Sequence, residues 1–263
     1  TKKNIFIHWC KYFLLEQSYK SIKILDRKVS FFIPNELTSF MVDSYFTKEP
    51  ETLEWIDKFE KKEDLIFWDI GANIGLYSIY NSLKNEKALT IAFEPSSSNL
   101  RVLTRNISIN NLEKNIKVMP IPLTNTASTF QIMNEKRFQE GGALNSFGEA
   151  LDFRAQKFEP QMKYSLFGTS INYLIEKEIL DVPDYIKIDV DGIEHLILEG
   201  GNVCLKNEKV KSVSIEINED FEKQFSKVLS LMKSYNFNNF HKNRNDKFYK
   251  GEFAQTYNYI FTR

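Results

Sequence analysis

The sequence predicts an α/β fold in which a mostly parallel sheet carries helices on both faces. Two observations predict it. Short apolar runs alternate with helical patterns from about residue 65 onward, and a glycine-containing turn follows the first of those runs. A chain of 263 residues forms one large domain or two small ones. We therefore expect residues 61–263 to form the main domain and residues 1–60 to form an N-terminal extension that covers its cleft.

The N-terminal extension contains three predicted elements. Apolar residues at helical spacing predict a helix from Ile5 to Ile22, and the apolar run Lys28–Pro34 predicts a short strand. Pro50 begins a second helix, because the missing N–H of a proline costs nothing in the first turn.

In the main domain, strands and helices alternate. The predicted strands are Leu65–Ile70, Ala88–Phe93, Ile116–Leu123, Ser128–Met133, Tyr185–Val190, Ser212–Ile217, Asn238–His241 and Thr256–Thr262. The predicted helices are Gly75–Lys84, Ser96–Ile109, Ser170–Ile179, Ile193–Gly200 and Phe221–Tyr235, with Ser96 and Asp220 as caps. Residues 134–168 fit neither pattern, and a polar segment of this length is either a substrate lid or an ordered surface excursion.

Composition excludes several classes of protein. Lys+Arg and Asp+Glu are both 35, so the formal net charge is zero, which argues against a nucleic-acid partner held by bulk positive charge. No apolar run of about 18 residues predicts a membrane-spanning helix. Cys10 and Cys204 are too few for a disulfide framework, so we expect a reducing, cytoplasmic location and no signal peptide. A homodimer and membership of a longer multidomain protein both stay open.

The strongest motif is the segment Trp68–Gly75, which reads WDIGANIG. It places a glycine turn between an apolar strand and a helix. Gly71 lets the backbone approach a ligand closely, and Gly75 allows tight packing of the helix on the strand. Asn73 stands where a dinucleotide fingerprint has its second glycine, so a ligand without a pyrophosphate is favoured. Asp69 points to a cationic partner.

A second motif, Phe93–Pro95, ends the next predicted strand. Glu94 follows the glycine turn by about 20 residues, the position from which a carboxylate accepts hydrogen bonds from a ribose diol. Together with the glycine turn, this residue predicts a site for an adenosine compound.

The third motif, Tyr185–His195, carries charges on a strand that should be buried. Side chains alternate along a strand, so Lys187, Asp189 and Asp191 share one face. Three charges there are costly unless they line a polar cleft. An ion pair with Lys187 stays open, as does a Mg²⁺ or Ca²⁺ site formed with Glu194. On a neighbouring strand, Glu216 is placed to line the same cleft.

These motifs together resemble the FkbM family of S-adenosylmethionine-dependent methyltransferases over about residues 45–235. The resemblance rests on Lys48–Thr52, Asp69–Gly75, Phe93–Pro95, Asn106, Asn110–Leu112 and Lys187–Glu194, in this order. It implies a class I methyltransferase fold of seven strands, the last antiparallel. It also implies S-adenosylmethionine as cofactor, no metal, and methyl transfer to a hydroxyl of a sugar, glycan or natural product.

The resemblance also implies the site residues. The methionine-side loop would be formed by Asp69, Gly71, Ala72, Asn73 and Gly75. Glu94, with Pro95 beside it, would bind the ribose hydroxyls, and Asn106 would lie near the adenine or behind that wall. Asp191 is a departure, because the family commonly has Glu at its position.

Methyl transfer to an alcohol needs a group that takes the hydroxyl proton. The candidates at the strand ends are Asp189, Asp191, Glu194, His195 and Glu216. We favour the pair Asp189 and Asp191, because two close carboxylates raise each other's proton affinity. The alternatives are an N- or carboxyl-methyltransferase on the same fold, and a cofactor-binding module without turnover in a multidomain glycan-assembly protein.

Overall fold

The computed structural model describes residues 4–10, 18–152, 154 and 156–263. The strands in this part of the chain are β1 Tyr19–Ile24, β2 Arg27–Phe32, β3 Ile66–Ile70, β4 Leu89–Phe93, β5 Ile116–Met119, β6 Thr129–Glu135, β7 Ser146–Phe147, β8 Met162–Gly168, β9 Tyr185–Ile188, β10 Ser212–Asn218, β11 Asn239–Asn243 and β12 Thr256–Thr262. The helices are α1 over residues 4–10, α2 Glu36–Asp43, α3 Pro50–Asp57, α4 Leu76–Lys84, α5 Ser97–Ile109, α6 Ile171–Glu176, α7 Glu194–Glu199, α8 Asn202–Lys206 and α9 Glu222–Ser234.

A seven-stranded sheet forms the centre of the molecule, in the order β11-β12-β10-β9-β3-β4-β5. Neighbouring strands from β10 to β5 pair in parallel, whereas β12 runs antiparallel to both β10 and β11. The predicted α/β fold, with seven strands and the last one reversed, is therefore confirmed. The carboxyl ends of β3, β4, β9 and β10 lie at one edge, where open α/β sheets bind their ligands.

Apolar side chains cover both faces of this sheet. Phe67 and Trp68 are adjacent in β3, fully buried, and belong to cores on opposite faces. Phe67 packs near Trp55 of α3, with ring centroids 6.0 Å apart, and Trp68 packs near Phe93 of β4 at 5.3 Å. Continuous apolar sequence in the central strands is the expected consequence of burial on both faces.

The N-terminal extension differs from its prediction in two elements, since helix α2 was not predicted and one predicted helix ends in a strand. A helix over Ile5–Ile22 was expected, but Tyr19–Ile24 forms strand β1, which pairs with β2 as an antiparallel hairpin. Helix is present over residues 4–10, and residues 11–17 lie outside the described part of the chain. The turn of the hairpin, Leu25–Asp26, has two positive φ angles, 47° and 65°, the pattern of a type I′ turn that suits tight hairpins.

Residues 129–168 contain a second, three-stranded antiparallel sheet in the order β7-β6-β8. The strand predicted at Ser128–Met133 exists, but it belongs to this small sheet. Near the end of the chain, Phe221 precedes helix α9 and no side chain caps it, so the prediction of Asp220 as its cap is wrong. The Asp220 N–H instead donates to the Asn218 side chain.

One negative finding concerns membranes. In the described ranges, every helix is too short or too polar to cross a bilayer.

Candidate active site

The glycine turn passes directly under the end of strand β9. Gly71 has a φ of 86°, and a Cβ atom there would lie 1.8 Å from the Asp189 carbonyl oxygen. Only glycine fits this contact, because any side chain would collide with the backbone of β9. Gly75, with a φ of 88°, precedes helix α4. At Gly71, the backbone of the turn therefore packs directly against the backbone at the end of β9.

Asp69 lies beneath this turn and does not line the cavity that the turn borders. Its carboxyl is 1% exposed and accepts a 2.6 Å hydrogen bond from the Ser78 hydroxyl of α4. Burial raises the pKa of Asp69, and the nearby ammonium of Lys187 works in the opposite direction. In this position Asp69 supports the turn and the start of α4 from below.

Glu94 ends β4 and holds the turn from the other side. Its two carboxyl oxygens accept 2.8 Å hydrogen bonds from the backbone N–H groups of Asn73 and Ser96. Burial raises the pKa of Glu94 to about 8. Since each carboxyl oxygen carries two lone pairs, Glu94 can also accept hydrogen bonds from a ligand. Pro95 and Asn99 continue the same wall of the cavity.

Asn106 lies behind this wall and is fully buried. Its amide nitrogen donates to the Ile74 carbonyl at 2.9 Å, and its oxygen accepts from the Phe32 N–H at 2.7 Å. It therefore joins the glycine turn to strand β2 of the N-terminal extension.

A cavity of about 520 Å³ lies at the carboxyl ends of β3, β4, β9 and β10. Parts of the chain far apart in sequence line it. The lining residues come from within the ranges Leu37–Glu49, Gly71–Tyr77, Glu94–Asn99, Lys136–Asn145, Lys187–Asp191 and Phe248–Phe253, and Glu216 also contributes. Of the predicted site residues, Gly71, Ala72, Asn73, Glu94, Pro95, Asp189, Asp191 and Glu216 line this cavity. Asp69, Gly75, Asn106, Glu194 and His195 do not.

Two ion pairs lie at the floor of the cavity. Lys187, 2% exposed, contacts Asp189 at 2.6 Å, so the ion pair considered from the sequence is present. Lys48 contacts Glu49 at 2.7 Å. Burial acts to raise the pKa of Glu49, but the ammoniums of Lys48 and Lys187 outweigh it and lower that pKa to about 2. The Lys187 ammonium also lies 4.9 Å from the centre of the Tyr77 ring.

Besides Glu94, the cavity carboxyls whose pKa values are raised are Asp191 and Glu216. Burial, followed by the charge of Asp189, raises the pKa of Asp191 to about 6. Burial, again followed by the charge of Asp189, raises the pKa of Glu216 well above its usual range. The Tyr249 hydroxyl donates to Glu216 at 3.2 Å. Near neutral pH, Asp191 is thus mostly a carboxylate, whereas burial favours the neutral form of Glu216.

Asp191 also has an unusual backbone conformation. Its φ is 62°, and the backbone N–H of Leu144 donates to its Oδ2 at 2.6 Å. A hydrogen bond from an N–H stabilises the charged form of a carboxyl, so it limits the rise in the Asp191 pKa that burial causes. A left-handed residue with a fixed carboxylate at a cavity is the kind of strain that clusters at functional sites.

Glu194 and His195 follow this turn at the start of α7. The Glu194 Oε1 atom accepts from the Gly192 N–H at 3.1 Å, and its Oε2 atom accepts from the Gln224 amide of α9. Burial raises the pKa of Glu194 to about 7 and lowers the pKa of His195. Glu194 therefore supports the Asp191 turn from outside the main cavity.

Residues 139–145, here called the lid, cross over the cavity. The Asn99 side chain accepts from the Gly141 N–H at 2.8 Å and donates to the Gly142 carbonyl at 3.0 Å. At the other end of the lid, Leu144 donates to Asp191. The lid is thus fastened both to the wall that carries Glu94 and to the carboxyl at the end of β9.

The carboxyl groups of Glu49, Asp189 and Glu216 also approach one another, with one oxygen of each within 4.8 Å of the others. The metal-binding set considered from the sequence was Asp189, Asp191 and Glu194, so the two sets share Asp189 and differ in the other two residues. Two of the three carboxyls already contact ammonium groups, Glu49 with Lys48 and Asp189 with Lys187. These two ammonium groups neutralise negative charge that the binding of a divalent cation would require.

Several cavity residues were not assigned to the site from the sequence. They are Lys48, Glu49, Tyr77, Asn99 and Tyr249. The lid lies within residues 134–168, which the sequence indicated as either a substrate lid or an ordered surface excursion. A signal existed for Glu49, which directly precedes the helix-starting Pro50 and is therefore held in place by α3. No local pattern marks Tyr77 or Tyr249, because each is one aromatic residue among many.

The fold and the site together define the class of protein. A seven-stranded sheet with a reversed last strand, a glycine turn after β3 and an acid at the end of β4 are the features of a class I methyltransferase. The model of the methyltransferase FkbM domain matches residues 69–238, and the chain belongs to this family.

Individual relatives agree with this assignment. The chain is 27% identical over 155 residues to methyltransferase sdnD of Sordaria araneosa, an alignment that spans 50% of this chain and 58% of that relative. The chain thus covers less than two thirds of this relative. The crystal structure of methyltransferase FkbM from Methylobacillus flagellatus KT is similar in fold, with a TM-score of 0.52 and 15% identity over 78% of this chain and 45% of that one.

Proposed function

We propose that the protein transfers a methyl group from S-adenosylmethionine to a hydroxyl of a sugar or glycan. The observation that carries this proposal is the position of Asp191, a carboxylate with a raised pKa that lines the same cavity as the glycine turn. Both groups that the reaction needs, a cofactor cradle and a proton acceptor, lie at one sheet edge.

The cavity wall fits the cofactor. Gly71 lets the backbone of the turn pack against β9 at the cavity wall, Glu94 can accept hydrogen bonds from ribose hydroxyls, and Asn99 borders the adjacent wall. Asp189 and Asp191 place negative charge near the turn, which favours a sulfonium cation. When bound, the cofactor supplies an already activated methyl group, so the protein mainly has to align the acceptor with it.

Asp191 is the proposed base. An acceptor hydroxyl beside it loses its proton to the Asp191 carboxylate as the new oxygen–carbon bond forms. Asp189 is less suited to this role, because the buried Lys187 ammonium contacts its carboxyl at 2.6 Å. In its protonated form, which burial favours, Glu216 can donate a hydrogen bond to another oxygen of the acceptor.

The character of the cavity favours a sugar as acceptor. Its floor combines the carboxyls of Asp191 and Glu216 with the aromatic faces of Tyr77, Phe248 and Tyr249. Sugars present several hydroxyls that pair with carboxyls and apolar C–H faces that pack on aromatic rings. An amine acceptor would also suit acidic and aromatic walls, but it would make little use of a base such as Asp191.

We also propose that two parts of the chain close the cavity around the reaction. Leu37, Phe40 and Met41 of α2 belong to the N-terminal extension and line the cavity. Residues 134–168 supply the lid, which crosses from Asn99 to Asp191. Such covers keep water away from a reactive methyl donor.

The test combines binding with turnover. Isothermal titration measures the affinity for S-adenosylmethionine, and a radiolabelled-methyl assay then offers matched sugars, sugar nucleotides and amines as acceptors. We expect cofactor binding and a product whose nuclear magnetic resonance spectrum shows an O-methyl sugar. Transfer to amines alone would contradict the proposed acceptor, and binding without any transfer would favour a cofactor-binding module.

A further inference from the structure

A second, much smaller cavity adjoins the main one and has a volume of about 20 Å³. Its lining consists of Asp191, Gly192, Glu194, Glu216, Asn218, Gln224, Phe253 and Thr256. Asp191, Glu216 and Phe253 line both cavities and separate them. The small cavity therefore lies between the proposed base and the start of α7.

The size and the chemistry of this cavity suit one water molecule. A volume of roughly 10–15 Å³ is enough for one water, provided that two to four polar groups can bind it. Asp191 and Glu194 line it, together with Asn218 and Gln224, so polar residues surround a water placed there.

Glu194 is placed to exchange a proton with such a water. It is 4% exposed, and its Oε1 atom is held by the Gly192 N–H at 3.1 Å and the Val190 N–H at 3.4 Å. Its Oε2 atom accepts from Gln224 and keeps a second lone pair. The same contacts fix the turn that carries Asp191.

A hydrogen bond from the lid favours the release of a proton from Asp191. The Leu144 N–H of the lid donates to Asp191 Oδ2, and this hydrogen bond is stronger while Asp191 is charged. On the small-cavity side, Glu194 is a neighbouring carboxyl that can take this proton.

We propose that Glu194 receives the reaction proton from Asp191 through one water in the small cavity. The inference rests on the proposed function. The acceptor O–H bond breaks and its proton joins Asp191. The water then takes that proton and gives one of its own to the Glu194 carboxylate, so Asp191 regains its charge and Glu194 becomes neutral. Glu194 does not line the main cavity, so it acts on the reaction through Asp191. It is therefore a positioning residue and not a catalytic one.

The charges around the two groups are compatible with this transfer. Burial raises the pKa of both carboxyls, to about 6 for Asp191 and about 7 for Glu194, so both can exchange a proton in the same pH range. The charged groups that act on Glu194 are Asp191 and Asp189 from its own side, and Glu216 lines the small cavity from β10. Helix α9 presents the uncharged Gln224.

The main test uses Glu194→Gln, which keeps the shape and an oxygen for the Gly192 N–H but cannot ionise. Glu199→Gln, on the same helix and outside both cavities, is the matched control. We expect Glu194→Gln to lose about tenfold in turnover at pH 7, less than the roughly 10²–10⁴-fold loss expected for the base itself. Its cofactor affinity should match the parent, and its pH–rate profile should lose the ionisation near 7. A profile and turnover equal to those of Glu199→Gln would overturn the relay.

A rescue experiment separates the relay from structural support. Formate and formamide are similar in shape and both accept a hydrogen bond, but only formate takes up a proton at these pH values. In Glu194→Ala, formate should restore turnover and formamide should not, whereas equal rescue by both would overturn the relay. Asp191→Asn is assayed in parallel. Parent turnover in Asp191→Asn would overturn the proposed base, and loss there with full turnover in Glu194→Gln would overturn the relay alone.

Discussion

The backbone N–H of Leu144 donates a 2.6 Å hydrogen bond to the carboxyl of Asp191. This contact joins a lid segment to the carboxyl at the end of β9 across 47 residues of sequence. Closure of the cavity and the charge of the proposed base are therefore linked, because the bond is stronger to a carboxylate than to a neutral acid.

The first prediction concerns this link. Asp191→Ala removes the acceptor of the Leu144 N–H, whereas Asp191→Asn retains an acceptor oxygen. We expect amide hydrogen exchange of residues 139–145 to be faster in Asp191→Ala than in Asp191→Asn, although both variants lose the base. Equal exchange in the two variants would show that Asp191 does not hold the lid.

The second prediction concerns the cofactor wall. Glu94→Gln replaces one acceptor oxygen with an amide N–H₂, which is placed against the N–H of Asn73 or Ser96. A buried donor left without its acceptor costs roughly 1–3 kcal/mol, so we expect S-adenosylmethionine affinity to fall about tenfold. Calorimetric titration measures it, with the exposed Glu113→Gln as control. Parent affinity in Glu94→Gln would remove Glu94 from the cofactor site.

The third prediction concerns the glycine turn. A Cβ at Gly71 would lie 1.8 Å from the Asp189 carbonyl oxygen, whereas a Cβ at Gly251 would meet nothing within 4 Å. Both glycines have positive φ, 86° and 59°. Comparing the two variants therefore separates the effect of the steric collision at Gly71 from the cost of placing a Cβ atom on a residue with positive φ. Thermal unfolding should show a large loss of stability in Gly71→Ala and a loss of about 1 kcal/mol or less in Gly251→Ala. Similar melting temperatures for both variants would mean that the turn can move away from β9.

The fourth prediction concerns the buried ammonium of Lys187. The carboxylates of Asp189, Glu49 and Asp69 raise its pKa, against the lowering effect of burial, so it stays charged at every pH of interest. Removal of one partner of a buried ion pair typically costs about 3–5 kcal/mol. We expect Lys187→Met to lose stability of this order, and Lys187→Met with Asp189→Leu to recover part of it. If the single variant unfolds like the parent in urea, the ion pair contributes nothing to folding.

The strands of the main sheet could be predicted because their signals are local. Strands β3, β4, β9 and β10 are short segments rich in apolar residues and buried along most of their length, as expected for strands covered on both faces. Strand β1 was assigned to a helix because the few apolar residues of Tyr19–Ile24 fit either period. Its hairpin turn, Leu25–Asp26, contains no glycine to mark it.

The candidate site could be predicted only where it follows strand ends. Glu94, Asp191 and Glu216 come directly after or within predicted strands, so topology brings them together. The segment that contains the lid was predicted to be either a substrate lid or a surface excursion. Its position over the cavity could not be predicted, since it depends on pairing between β6 and β8 and on hydrogen bonds to Asn99 and Asp191. The placement of Asp69 below the turn depends on Ser78, one helical turn into α4, which no motif indicated.

The central claim is that Asp191 takes the acceptor proton, and the pH dependence of turnover in the parent and in Asp191→Asn tests it most directly. Burial raises the Asp191 pKa from 3.8 to about 6. The base is therefore protonated and inactive below that value, and the parent rate should rise with pH to a plateau above it. Asp191→Asn should lose this pH dependence, and its plateau rate should be roughly 10²–10⁴-fold lower. Its cofactor affinity should be unchanged. The exposed Asp181→Asn is the control and should behave like the parent. An Asp191→Asn variant that keeps the parent's plateau and midpoint would contradict the account.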